Sequence, residues 1–256
     1  GGAKGGGRGG RLESGVVCIS VERVSGDAPV YNEFGAKLAE KVRAVKQGQE
    51  GSGYQYDTGA MATPAQRDIV ERHVNEAVAA GAKVLTGGKP TGIGTFFEPT
   101  VLADVDPSMS CIAEETFGPT LPVIKVADEE EAIRLANDSQ YGLSASVWTG
   151  DTERGDRVAR RLEVGAVNIN DALTNVFCPG LPMGGWKDSG IGYRGGGAAG
   201  LIKFCRQQAI TAPRMPTQKS EMLWYSSPKK QSRFALAAMR AFAGHGRRRF
   251  GLGKKG

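Results

Sequence analysis

Histidine is nearly missing from this sequence and cysteine is sparse: His73 and His245 are the only imidazoles, and Cys18, Cys111, Cys178 and Cys205 the only thiols, in 256 residues. No two cysteines form a CxxC pair and neither histidine lies at ligand spacing from a thiol, which excludes the common zinc-site patterns. Thiols this far apart suit a reducing compartment, so the expected location is cytoplasmic. Long apolar runs are also missing. None approaches the roughly 18 residues that span a bilayer, and the first residues lack the apolar core of a signal peptide. Acid is scarce at the end of the chain, where Glu221 is the one carboxylate after Pro213.

What is present has the balance of a soluble globular protein, 40% hydrophobic and 23% charged, with enough apolar residues for a sizeable core. The net charge of +6 gathers at the two ends while the middle is near balance, so it describes tails, and no nucleic-acid partner is expected. Residues 1–13 form a leader of glycine with Lys4, Arg8 and Arg11, a composition that cannot bury anything. Residues 213–256 form a basic tail in which Phe234, Leu236, Met239 and Phe242 make a short apolar helical face. A solvated tail docked on its own or a neighbouring subunit is preferred there, and membrane-surface contact is the lesser reading.

Between the tails, residues 14–212 read as one domain. Val30, Phe34, Leu38, Val42 and Val45 recur at three- and four-residue steps, the period of an amphipathic helix over 29–45. Thr63 caps a second helix with Pro64 at its first position and Gln66 placed to close a capping box; Ile69, Val70, Val74, Ala77 and Val78 form its buried face, and Gly81 stops it. His73, set among those apolar positions, reads as a hydrogen-bonded packing residue. Strands are expected at 83–86, 96–101, 121–126, 145–149 and 165–170, with helices at 128–137 and 151–162. This alternation predicts an α/β fold, an open and mostly parallel sheet with helices on both faces.

Two glycine motifs look like nucleotide sites and are not. Gly87-Gly88-Lys89 is followed by Pro90, with no Ser or Thr to meet magnesium. Gly190-Ile-Gly192-Tyr-Arg-Gly195 matches GxGxxG, but no strand leads into it and no acid follows about 20 residues on; it reads as a tight turn. The candidate nucleophile is Cys18, between a glycine turn and a β-rich run, where exposed backbone N–H groups could favour a thiolate and meet an oxyanion. A lone cysteine beside Val and Ile is otherwise more often inert core.

Five blocks alter that balance: Phe97-Glu-Pro-Thr-Val-Leu102, Glu114-Glu-Thr-Phe-Gly-Pro119, Ala136-Asn137 with Tyr141-Gly-Leu143, Gly165-Ala-Val-Asn-Ile-Asn170, and Gly184-Gly-Trp-Lys-Asp-Ser-Gly-Ile-Gly192. In this order and spacing, from about Gly15 to Thr211, the chain resembles the aldehyde dehydrogenase superfamily. Cys18 falls where that family keeps its catalytic cysteine. The resemblance implies NAD(P)-dependent oxidation of an aldehyde to the acid through a cysteine thioester, with NAD or NADP as cofactor, Glu115 holding the nicotinamide ribose hydroxyls and Phe117 packing near the ring. Cys-Ile-Ser-Val-Glu-Arg and Gly-Gly-Trp-Lys-Asp-Ser-Gly look most like the succinate-semialdehyde branch. The family is homo-oligomeric, and a last strand beginning at Ile210 would pair with another subunit.

Departures accompany the matches. Val16 stands where the family has glutamine and Glu13 where it has asparagine, and Ser25-Gly26-Asp27 is expected to break the strand after Arg23, so that the sheet could lack its first strand. The family's dinucleotide-binding domain precedes the cysteine, and with it the general-base glutamate and the oxyanion asparagine. The expectation is therefore a catalytic portion of a longer enzyme, inactive in isolation; the alternative is a folded fragment that associates with itself or other subunits without turnover.

Overall fold

A computed structural model describes residues 18–49, 53, 55–212 and 229–243. The glycine-arginine leader, Glu13, Val16, His245 and the basic residues from Arg247 to Lys255 lie outside that range. The chain divides into two compact units, Gly1–Arg206 and Gln207–Gly256.

The first unit is built on a four-stranded sheet. Its strands are β1 (Val24–Asp27), β2 (Lys83–Thr86), β3 (Thr100–Ala103) and β4 (Thr120–Val126), in the order β1-β4-β3-β2. β4 runs parallel to both β1 and β3, and β2 joins β3 antiparallel. Side chains alternate across the sheet with the period of two that strands impose. Val101, Ala103, Leu121 and Val123 face one way, against Tyr31, Leu38 and Val42. Leu102, Ile124 and Val126 face the other, against Val70, Val74, Ala77 and Ile112. Both faces are thus covered, as a parallel sheet with near-continuous apolar strands requires.

The first covering helix is α1 (Tyr31–Arg43), which buries Tyr31, Leu38, Ala39 and Val42. The opposite face is covered by α2 (Pro64–Ala79), the single turn α3 (Ser110–Ala113) and α4 (Glu129–Asn137). Local chemistry sets their ends. Thr63 Oγ1 accepts from the Gln66 backbone N–H at 3.2 Å, and Gly81 leaves α2 at φ 106°, a conformation only glycine adopts cheaply. Asp128 accepts from Glu131 N–H at 2.9 Å, and the Glu131 carboxylate accepts in turn from Ala127 N–H at 2.7 Å.

The rest of this unit is a set of two-stranded pairings. β5 (Tyr141–Gly142) pairs with β9 (Trp186–Lys187), β6 (Ser144–Val147) lies parallel to β7 (Ala166–Ile169), and β8 (Met183–Gly184) pairs with β10 (Tyr193–Gly195). α5 (Thr152–Ala159), capped by Asp151, connects β6 to β7, and α6 (Gly197–Ile202) follows β10. The GxGxxG stretch is a turn with Gly190 at φ 147° and Gly192 at φ 71°, leading into β10. The second unit contributes α7 (Lys229–Ala243), on which Phe234, Leu236, Met239 and Phe242 are exposed. Among the described residues no helix is long and apolar enough to cross a membrane.

Three expectations need correction. Ser25-Gly26-Asp27 does not break the first strand but makes it, in register from Val24↔Val123 to Asp27↔Val126. Backbone pairing to β4 needs no large side chain, and the bare Gly26 leaves room for the Tyr31 ring, 3.0 Å from where a Cβ would sit. The strand expected at 96–101 begins only at Thr100. The Thr91–Phe96 turn uses the earlier backbone, and Pro99 has no N–H to donate. Ile210 starts no strand; residues 206–212 have no regular structure.

Leu102 has no exposed surface, so Leu102→Ala should cost about 2–5 kcal/mol by denaturant titration. Val84→Ala, on the outer strand at 41% exposure, should cost less than about 1 kcal/mol.

Candidate active site

The parallel register of β1 and β4 sets two loops side by side. Val24 lies opposite Val123, so the run Cys18–Arg23 that enters β1 and the loop Glu114–Pro119 that enters β4 meet at the same, amino-terminal end of the sheet. A cleft of about 960 Å³ opens there and continues between β1 and β6. Cys18, Glu22 and Arg23 line it from one side, Glu115 from the loop, and Tyr141 and Ser144 from the facing wall. Cys18 is exposed in a turn ahead of β1. Ser20, two residues on, has a buried hydroxyl oxygen with no hydrogen-bond partner among the described residues.

Of the residues singled out from the sequence, Cys18 and Glu115 come to this one cleft. Phe117 is half-buried behind Glu115 and is not among the residues lining it. Cys111 is inside the core, where burial pushes its thiol up to about 11. Cys178 is half-buried and Cys205 exposed.

The loop carrying Glu115 is strained and firmly held. Phe117 has φ 48°, a left-handed conformation that costs a residue with a Cβ about 1–3 kcal/mol unless its surroundings enforce it. The enforcement comes from two sides. From α2, the Gln66 side-chain amide donates to Thr116 O at 2.6 Å and Phe117 O at 3.1 Å. This is why the capping box predicted at Thr63 is only half formed: the Gln66 backbone completes the cap while its side chain reaches the loop. His73, fully buried, has Nδ1 3.0 Å from Thr116 Oγ1 and Nε2 3.1 Å from Glu114 Oε2. Arg72 also donates to Glu114 at 3.0 Å, and its guanidinium, ahead of His73, lowers the Glu114 pKa. From the strand side, the two Glu22 oxygens accept from Thr116 N–H at 3.1 Å and Phe117 N–H at 3.2 Å.

Gly118 lets α2 approach this closely, because a Cβ there would collide with the Val70 side chain. Among the described residues, Glu22 is the carboxyl moved furthest from its ordinary value. Burial raises its pKa from 4.5 to about 7, with Glu115 adding to the rise and the two backbone N–H groups and Arg23 opposing it. Glu115, exposed at the cleft wall, is also raised, by its partial desolvation there, with Arg23 opposing.

Sequence reasoning identified His73 as a packing histidine but not what it packs against, gave Gln66 only a capping role, and missed Gly118 and above all Glu22. The available signal was a charged pair, Glu22-Arg23, set between Val21 and Val24 at the entry to a strand. Among the described residues no group of three His, Cys, Asp or Glu side chains could hold a metal ion.

Comparison with known proteins agrees with this architecture. The profile described as the aldehyde dehydrogenase family matches residues 3–210. A Mycobacterium ulcerans protein, provisionally named succinate-semialdehyde dehydrogenase (NADP+) 2, is 40% identical over 222 residues, 84% of this chain and 42% of its own length. A Methylomonas 4,4'-diapolycopene aldehyde oxidase is 46% identical over 191 residues, 75% of this chain and 35% of its own. Among solved structures, a Mycobacterium tuberculosis aldehyde dehydrogenase complexed with NAD+ superposes with a TM-score of 0.76 at 34% identity, over 84% of this chain and 44% of that one. The chain spans about two-fifths of the length of the mycobacterial relatives, 42% and 39% in two of them.

Exposure and burial predict how the thiols react. At pH 8 iodoacetamide should label Cys18 in the folded chain and leave Cys111 unlabelled until denaturant is added, read by peptide mass spectrometry.

Proposed function

The chain belongs to the aldehyde dehydrogenase family, and from that premise we propose that it is the thiol-bearing part of an enzyme that oxidises an aldehyde to its carboxylic acid. The cofactor in this reading is NAD or NADP, and the substrate is succinate semialdehyde, the aldehyde in the mycobacterial relatives' name. The observation that carries the reading is the meeting of Cys18 and Glu115 at one cleft from loops almost a hundred residues apart in sequence. Cytosolic location and self-association belong to the same proposal, supported by the separated thiols and by the family.

The chain's own groups suit the chemistry. The Cys18 thiolate attacks the carbonyl carbon, forming a C–S bond, and the Cys18 backbone N–H is the donor this chain offers to the resulting oxyanion. A nicotinamide, when bound, supplies the two-electron oxidation that leaves an acyl group on the sulfur. Water then cleaves that thioester, releasing the acid and restoring the thiol. Glu115, an exposed carboxylate on the cleft wall, fits a ribose diol because it accepts two hydrogen bonds at once. Phe117 lies two residues beyond it in sequence and, in this reading, backs the nicotinamide ring.

In isolation the 256-residue chain is proposed to hold the thiol without turning over, in keeping with the two-fifths of its relatives' length that it spans. The second reading, a folded fragment that only associates, predicts the same silence and differs when a cofactor-binding domain is supplied.

The experiment is an aldehyde assay following reduced nicotinamide, on the chain alone and co-expressed with the amino-terminal domain of a family member. No turnover is expected from the chain alone, and turnover from the pair. Cys18→Ala should lower the pair's kcat by at least about 10³-fold. Glu115→Gln should raise the cofactor KM about 10- to 100-fold, the worth of hydrogen bonds to a charged acceptor. Turnover by the isolated chain, or full activity in Cys18→Ala, would overturn the proposal.

A further inference from the structure

We propose that Glu22 is a positioning residue of this site: its carboxylate grips the Thr116 and Phe117 backbone and so sets where Glu115 stands on the Cys18 cleft. The inference rests on the dehydrogenase reading for what Glu115 does, but not for how it is held.

The geometry is specific. Each Glu22 oxygen takes one of two successive N–H groups, at 3.1 and 3.2 Å, so the carboxylate sits in a small concavity of backbone donors of the kind that binds anions. The second of those N–H groups belongs to Phe117, the residue in the left-handed conformation. On the far side, the carbonyls of the same two residues accept from Gln66, so both edges of this stretch of backbone are tied. Removing the Gln66 hold leaves the loop joined to α2 through His73. Removing the Glu22 hold severs the direct hydrogen bonds to the strand entry that also carries Cys18. Both Glu22 oxygens are engaged by backbone, which makes it a poor candidate for moving protons at the thiol.

The grip requires the charged form. A protonated carboxyl turns one oxygen toward donating, and a donor facing an N–H is repelled. Two charged groups adjoin the carboxylate, Glu115 from the loop, which disfavours its ionisation, and Arg23, its neighbour in the run entering β1, which favours it. Beyond the loop, on α2, are His73 and Arg72, with Glu114 between them. Because burial holds the Glu22 pKa near 7, the grip forms as pH rises through neutrality. The linkage has the opposite sign for stability. Glu22 ionises near 4.5 when unfolded and near 7 when folded, so its contribution to stability is largest below about pH 4.5 and falls as pH climbs to about 7. The fold gives up stability to keep this carboxylate charged at the site.

The test is amide NMR of the full chain, ¹⁵N-labelled, between pH 5 and 9. The Thr116 and Phe117 N–H resonances should shift together with a midpoint near 7. In Glu22→Gln that shift should vanish, whereas in Glu115→Gln it should persist with a lowered midpoint. The Tm of Glu22→Gln relative to the unsubstituted chain should rise between pH 5 and pH 8. With a cofactor domain supplied, Glu22→Gln should raise the cofactor KM several-fold more than it lowers kcat. Flat Thr116 and Phe117 resonances in the unsubstituted chain, or a titration that survives in Glu22→Gln because His73 or Glu115 drives it, would overturn the proposal even if the enzyme reading stands. Titrating amides in a chain that never supports aldehyde oxidation would retire the enzyme reading and leave the grip in place.

Discussion

The pairing of β1 with β4 is the constraint from which the rest of the site follows. Four residue pairs, Val24↔Val123 to Asp27↔Val126, align two segments a hundred residues apart in sequence. Because the strands run parallel, everything just upstream of each must emerge at the same end. The Cys18–Arg23 run and the Glu114–Pro119 loop are those upstream segments. Open α/β sheets usually gather ligands at the carboxyl ends of their strands. Here the candidate groups stand at the amino ends, because the loops with reactive side chains precede β1 and β4.

Bringing two loops together does not by itself hold them in shape. The Glu114–Pro119 loop passes through a left-handed phenylalanine, and its backbone polar groups must be satisfied where it tucks under α2. A buried N–H or C=O left without a partner costs about 1–3 kcal/mol. Gln66 and Glu22 therefore answer a structural demand while presenting Glu115 to the cleft. His73 and Arg72 extend the same logic to Glu114. Gly118 is the steric condition for all of it, since it allows α2 to lie close enough for Gln66 and His73 to reach.

The arrangement couples stability to the site at Glu22. A carboxylate of ordinary pKa would be ionised near neutrality without loss to the fold, whereas this one is partly desolvated and ionises only near 7. Arg23 shares the desolvation, and burial lowers its pKa as it raises that of Glu22. The tension is local. The two core layers around β3 and β4 are built mainly of apolar side chains, leaving the amino-terminal end of the sheet to tolerate buried charge.

Much of the fold was legible before any coordinates. The period of Val30, Phe34, Leu38 and Val42, the Thr63-Pro64 start and the apolar run of β4 are local signals, decided by rotamer sterics and backbone hydrogen bonding within a few residues. Family blocks, also local in sequence, pointed to Cys18, Glu115 and Phe117. Two of the errors share one cause. Ser25-Gly26-Asp27 has poor strand propensity, yet it is a strand because β4 offers its edge and Tyr31 fills the space over Gly26. Gln66 looked like a capping side chain, but carbonyls fifty residues away accept from it instead. Composition and periodicity determined α1, α2, α4 and α5 and the strands β2, β4, β6 and β7, and pointed to a mostly parallel sheet. Tertiary structure alone decided that Glu22 is buried against the backbone at Thr116 and Phe117, because desolvation and hydrogen-bond geometry depend on what the fold brings within 3 Å or so, and no local pattern records that.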